Sequence, residues 1–336
     1  MKHITVMGSG SWGTALALLL HKNGHQVTLW SFEEKESQKL IETRENLRYL
    51  PGILIPHQIT LTHNIEEAIK DREILVIAIP SRFIRENMVN FAPYIKKEQI
   101  IVNVSKGLEE SSLLRLSQVI QEILPMNPIA VLSGPSHAEE VARDLPTTCV
   151  VAATSLKISK MVQDVFMGPK FRVYTNTDMI GVELGGALKN VMALAAGISD
   201  GLHFGDNTKA ALMTRGIVEI TRLGLAMGAQ LQTFSGLSGI GDLIVTCTSP
   251  HSRNWKAGFL IGQGKTVEDT LQEVHMVVEG IHTAKAALAF SKKYQIEMPI
   301  IQEVNSVLFE KKDPKQAVVD LMMRDKTEEQ DDWISI

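Results

Sequence analysis

The stretch HITVMGSGSWGTALALLLHKNG, residues 3–24, decides the fold. Four of its first five residues are apolar or β-branched, and the five read as a short buried strand. GSGSWG follows, placing Gly8, Gly10 and Gly13 in a G-x-G-x-x-G pattern, and the remainder has helical periodicity. A glycine motif between strand and helix has a physical reading. Gly8 permits the tight turn, Gly10 lets the backbone approach a pyrophosphate, and Gly13 lets helix and strand pack closely. The N–H groups from Ser11 onward would face the phosphates, aided by the helix dipole.

Outward from this turn, the first half of the chain alternates short apolar runs with helical segments. QVTLW (26–30), ILVIAI (74–79), QIIVNVS (99–105), IAVLS (129–133), TTCVVAAT (147–154) and FRVYTNT (171–177) read as further strands. These runs are continuously hydrophobic, as expected for strands covered on both faces of a parallel sheet. From about residue 179 the pattern becomes helical, as in residues 208–228, 266–274 and 280–295, with joints such as SGLSGIGD (235–242). The expected architecture is an α/β N-terminal domain, a Rossmann-type doubly wound and mostly parallel sheet, followed by an all-α C-terminal domain. The boundary is expected at 178/179, giving domains 1–178 and 179–336.

Composition narrows the function. Over 336 residues the net charge is −4, with 44% hydrophobic and 21% charged residues, which argues against nucleic acid or a membrane surface as the main partner. Neither Cys149 nor Cys247 lies in a metal-ligand spacing, so no metal is expected and both read as thiols of a reducing compartment. The start MKHITVMGSG carries no secretory h-region, and ILVIAIP (74–80) is too short to span a bilayer. A cytoplasmic protein is expected, with the acidic end DKTEEQDDW (325–333) as a solvated tail.

Several polar residues stand out against this background. The end of the second strand reports cofactor choice, but Trp30, Ser31 and Phe32 precede the acids Glu33 and Glu34, so the signal is ambiguous. Phe32 either stacks on adenine or packs. Lys106 follows a buried strand end, where it can meet an anionic substrate or the cofactor. Gly134, Pro135 and Ser136 form a turn after another strand, able to line a nicotinamide site. Asp242 and Thr246, four apart, share a helix face, and Arg253 with Asn254 suits recognition of phosphate or carboxylate. Most unusual is ELGGALKNVMALAAG (183–197). The neighbours of Lys189 on its helix face are Gly185, Gly186, Met192, Ala193 and Ala196, none of them charged. Either the lysine snorkels from a helix edge, or its ammonium group has a task.

These residues lie in a pattern that resembles the NAD(P)-dependent sn-glycerol-3-phosphate dehydrogenases of bacterial type. The blocks GSGSWGTALA (8–17), VSKGLE (104–109), LSGPSHAEEVA (132–142), GGALKNVMALAAGISDGL (185–202), LSGIGDLIVTCTSPHSRN (237–254) and VEGIHTAKA (278–286) carry the resemblance nearly end to end. It implies reduction of dihydroxyacetone phosphate to sn-glycerol 3-phosphate with NAD(P)H, for phospholipid synthesis. By matching positions it implies that Lys189 donates the proton. Lys106, Asn190, Asp242, Thr246, Ser252, Arg253 and Asn254 would surround the substrate, with Gly134 and Ser136 nearby. The cofactor would meet Gly8, Gly10, Ser11, Trp12, Gly13, Phe32, Lys106, Ala138 and Arg253, with Val277 and Glu279 reaching it from the helical half. The resemblance also implies a homodimer. Many members carry Arg or His where this chain has Phe32, so a preference for NADPH does not carry over. Two other readings stay open: a dehydrogenase of another small hydroxy acid, and a non-catalytic NAD(H) sensor.

Overall fold

A computed structural model describes residues 1–326, 328 and 329; most of the expected acidic tail lies outside the described residues. The chain divides into two compact units. One comprises residues 1–105 and 116–179, the other residues 106–115 and the chain from 180 onward.

The first unit is built on an eight-stranded sheet. In chain order its strands are β1 (His3–Met7), β2 (Gln26–Trp30), β3 (Thr60–Thr62), β4 (Ile74–Ile77), β5 (Ile100–Asn103), β6 (Ile129–Ser133), β7 (Thr147–Ala153) and β8 (Phe171–Asn176). Their spatial order is β8-β7-β6-β5-β4-β1-β2-β3. The run β3-β2-β1-β4-β5-β6 is the doubly wound order, with the reversal of direction between β1 and β4. All neighbours are parallel except β6 with β7, which pair antiparallel. The centre of the sheet is dry. Ile4, Val6, Leu75, Val76, Ile101 and Val102 are buried, which accounts for strands that are hydrophobic without alternation.

Two strands end earlier than the apolar runs suggest, β4 at Ile77 and β5 at Asn103. After β5 the Asn103 side chain accepts from the Ser105 N–H (3.2 Å) and donates to its carbonyl (3.2 Å), turning the chain out of the ladder. Strand β3 escapes the sequence reading because three residues are too few to show a period. So do two small hairpins, Glu45–Asn46 with Leu50–Leu54 and Leu108–Glu109 with Leu114–Arg115.

Helix α1 (Ser11–Lys22) leaves the glycine turn and buries Ala15, Leu16, Leu19 and Leu20. The second unit is helical apart from the Leu108–Arg115 hairpin. Its main helices are α2 (Met179–Gly201), α3 (Gly205–Ala226), α4 (Asp242–Thr248), α5 (Arg253–Gly262), α6 (Glu279–Tyr294), α7 (Pro299–Phe309) and α8 (Pro314–Met322). Helix α2 is long and apolar enough to cross a membrane, but 89% of its most apolar stretch is buried in the protein, as expected of a core helix. Its small residues let other backbones come close. A Cβ on Gly197 would fall 2.1 Å from the Trp255 carbonyl oxygen, and one on Gly258 2.1 Å from that of Leu194. Helices α2 and α5 therefore touch main chain to main chain.

Residues 106–115 join the second unit through Lys106, whose ammonium pairs with Asp242, and through two further contacts. Leu108 enters its apolar core, and Arg115 forms a buried ion pair with Glu183 of α2. A single break near residue 179 leaves this excursion out, because its sequence is too short to show which unit it packs with. Farther along, buried Glu219 of α3 accepts N–H groups from Ile300 (2.8 Å) and Ile301 (3.4 Å) at the start of α7. Burial nevertheless pushes its carboxyl up to about 7.

Candidate active site

Lys189 lies in the middle of α2 and is 6% exposed, so the snorkelling alternative fails. Its ammonium group donates to Asp242 Oδ1 and to Thr246 Oγ1, the latter at 2.6 Å. Asp242, 1% exposed, opens α4, and its second oxygen accepts from Lys106 Nζ at 2.6 Å. Thr246, one turn on, donates its hydroxyl proton to the Asp242 carbonyl (2.6 Å), which leaves a lone pair for Lys189. Two ammonium groups thus share one buried carboxylate.

The local sequence explains how this cluster forms. Gly185 lies one turn before Lys189, and a Cβ there would fall 2.4 Å from the Ser238 carbonyl oxygen. The small residue therefore admits the Leu237–Gly241 turn, which leads directly into Asp242. Lys106 comes from the excursion anchored by Arg115 and Glu183. Burial lowers the Lys189 pKa to about 8, because removing the ammonium from water outweighs its attraction to Asp242; Lys106 lowers it further. Cys247 lies beside this cluster in sequence, but burial pushes its thiol up to about 12, so it stays a neutral core residue.

A second group of predicted residues gathers on α5. Asn254 Nδ2 donates to Asn190 Oδ1 (3.0 Å), and both side chains are buried. Arg253 donates to the Val277 carbonyl at 3.1 Å. Ser252 accepts the Trp255 N–H (3.2 Å) and caps α5, so its hydroxyl has a structural task that the sequence reading does not include. Glu279 is the first residue of α6.

The predicted cofactor residues of the first unit surround the glycine turn and neighbouring strand ends. A Cβ on Gly13 would fall 1.9 Å from the Gly8 carbonyl oxygen, whereas one on Gly10 would meet nothing within 4 Å. Helix α1 starts with no side-chain cap and no acid in its first turn. Trp12 Nε1 is buried with no protein partner among the described residues. An open glycine, an uncapped helix start and an unused donor fit a pyrophosphate group. Ser136 donates to the Gly134 carbonyl (3.0 Å), closing the turn before Ala138, which begins a short helix. Phe32 is 69% exposed and meets Trp30 edge-on at 6.2 Å, which leaves its outer face accessible. Among the described residues no cluster of three His, Cys, Asp or Glu side chains is placed to hold a metal ion.

Two supports lie outside the expected site residues. Asn46 Nδ2 donates to the Ser9 carbonyl (2.7 Å) and to Thr14 Oγ1 (2.8 Å), bracing the glycine turn from the small hairpin. Gly280 donates its N–H to Asn254 Oδ1 at 2.9 Å. Neither residue type signals such a task at these positions.

A doubly wound sheet with this glycine turn, and a helical unit carrying a buried lysine of lowered pKa, define a nicotinamide-dependent dehydrogenase. Comparison with known proteins gives the particular family. Residues 3–159 match the family model for the NAD-dependent glycerol-3-phosphate dehydrogenase N-terminus, and residues 178–319 that for the C-terminus. The chain belongs to the NAD-dependent glycerol-3-phosphate dehydrogenase family. It is 58% identical over 335 residues to glycerol-3-phosphate dehydrogenase [NAD(P)+] of Fusobacterium nucleatum, covering 99% of this chain and 100% of that one. The crystal structure of glycerol-3-phosphate dehydrogenase from Coxiella burnetii is 39% identical, with a TM-score of 0.94 over 96% of this chain and 99% of that chain. A D-mandelate dehydrogenase, 13% identical with a TM-score of 0.64 over 94% of this chain and 99% of that one, shares the fold alone.

Proposed function

We propose that Lys189 is the proton donor in the reduction of dihydroxyacetone phosphate to sn-glycerol 3-phosphate by NAD(P)H, and the acceptor in reverse. The product supplies phospholipid synthesis. The observation that carries this reading is the buried ammonium held between Asp242 and Thr246. Reduction of a ketone places negative charge on its oxygen, and a proton must reach that oxygen. Bound reduced nicotinamide supplies the hydride.

A lysine with a pKa near 8 holds its proton at neutral pH and releases it more readily than an ordinary lysine. Asp242 fixes the direction of the Lys189 ammonium, and Thr246 takes a second of its protons, so the third is available for the substrate oxygen. Lys106 leaves the shared carboxylate with excess positive charge, suited to a developing alkoxide. Arg253, with Asn190 and Asn254, would hold the phosphate dianion away from the reacting carbon and orient it. In this reading the N-terminal domain, 1–178, binds the dinucleotide through Gly8, Gly10, Ser11, Trp12 and Gly13. The helical domain, 179–336, binds substrate.

The same reading makes the protein a cytoplasmic homodimer assembled through the helical domain. Support comes from the end of α8, where Val319, Met322 and the capping Met323 are 50%, 79% and 77% exposed. Beside them, α3, α7 and α8 line a largely apolar cavity of about 390 Å³. Sedimentation should therefore give twice the 37.1 kDa chain mass, and a species of single-chain mass at micromolar concentration would contradict it.

Lys189→Ala should lower kcat by about a thousandfold, while NADH binding measured by fluorescence stays within about twofold. Comparable loss of cofactor binding would remove its assignment as proton donor. Arg253→Ala should raise KM for dihydroxyacetone phosphate by about ten- to a hundredfold. An equal KM in the two enzymes, or faster turnover of a carboxylated ketone by the unmodified enzyme, would count against phosphate recognition.

A further inference from the structure

Gly280 starts a line of hydrogen bonds that ends at the candidate substrate site. Its backbone N–H donates to Asn254 Oδ1 at 2.9 Å, and Asn254 Nδ2 donates to Asn190 Oδ1 at 3.0 Å. A main-chain N–H can only donate, so Asn254 must turn its oxygen toward Gly280. Its nitrogen then faces Asn190, which must answer with its own oxygen. The direction of the first bond therefore fixes both amides. What remains outward is Asn190 Nδ2, which has no partner among the described residues. Asn190 is 5% exposed and Asn254 8%, so solvent competes weakly for these groups.

We infer that Gly280 is a positioning residue: through Asn254 it holds Asn190 with its N–H toward the substrate phosphate. This rests on the proposed placement of the phosphate beside Arg253 and Asn190. A phosphate dianion offers acceptors only, so an amide beside it must present nitrogen, and a turned amide would set oxygen against the anion. Space at Gly280 is part of the device. A Cβ there would fall 2.5 Å from the Asn190 carbonyl oxygen, 2.8 Å from Leu194 Cδ1 and 2.9 Å from Asn254 Oδ1. The same short segment also braces the neighbouring arginine, since the Val277 carbonyl accepts from Arg253 at 3.1 Å. One connection into α6 thus sets two adjacent residues of α5.

The test is a double-mutant cycle read in KM for dihydroxyacetone phosphate, with KM for NADH and the melting temperature as controls. Asn254→Asp still accepts from Gly280 but offers Asn190 only an acceptor, so Asn190 must turn its oxygen outward. It should raise KM for the ketone by about tenfold or more, with KM for NADH within about twofold. In an Asn190→Ala background no amide is left to turn, so adding Asn254→Asp should raise KM by a factor at least about threefold smaller than in the unmodified enzyme, the remainder being its direct charge beside the phosphate. Gly280→Ala should behave in the same way, raising KM for the ketone alone and losing that effect in the Asn190→Ala background. An Asn254→Asp effect of equal size in both backgrounds would mean direct charge repulsion and would overturn the relay. A Gly280→Ala variant that raises both KM values alike would reduce Gly280 to packing. If Asn190→Ala alone leaves KM for the ketone unchanged, the placement of the phosphate fails first, and the relay with it.

Discussion

One carboxylate shared by two lysines organises the helical unit's chemistry. Asp242 gives one oxygen to Lys189 and the other to Lys106, and it is almost fully buried. A single negative charge cannot balance two ammonium groups in a medium that screens poorly. Burial takes the Lys189 ammonium out of water and lowers its pKa to about 8 despite the attraction of Asp242, and the neighbouring Lys106 charge lowers it further. Thr246 adds a fixed acceptor, so the ammonium is held in direction as well as in charge. The same arrangement keeps the group dry, positively charged near neutrality, and able to part with a proton.

Holding three charged groups from distant parts of the chain in one place requires close backbone packing. Lys106, Lys189 and Asp242 are brought together by the excursion 106–115, by α2 and by the turn before α4. The Arg115–Glu183 pair fixes the first to the second. The bare Cα of Gly185 lets the third reach the second. Small residues along α2 are therefore clearance for neighbouring main chain, and the apolar surroundings of Lys189 follow from that clearance.

The sheet was legible because its signals are local. A buried strand, a glycine turn and a helix occupy consecutive residues, and parallel strands covered on both faces are hydrophobic throughout. Lys189 was legible as an anomaly, a lone charge on a face of glycine and alanine. Asp242 and Thr246 were legible as a pair one helical turn apart. What bound them to Lys189 was not, since the contact spans 53 positions in the chain. Asn46, Gly280 and the Arg115–Glu183 pair were invisible for the same reason. Bonds that depend on tertiary packing leave no period in a sequence.

The account stands on Lys189 carrying a removable proton, and the pH dependence of kcat/KM in both directions measures it most directly. With saturating NADH, kcat/KM for dihydroxyacetone phosphate should be level below pH about 8 and fall about tenfold per unit above it, as the ammonium loses its proton. In the oxidation of sn-glycerol 3-phosphate, the limb set by the same group should rise through that pH, because the neutral amine is then required. A reduction rate that stays level through about pH 10, where an unperturbed lysine titrates, would contradict the assignment.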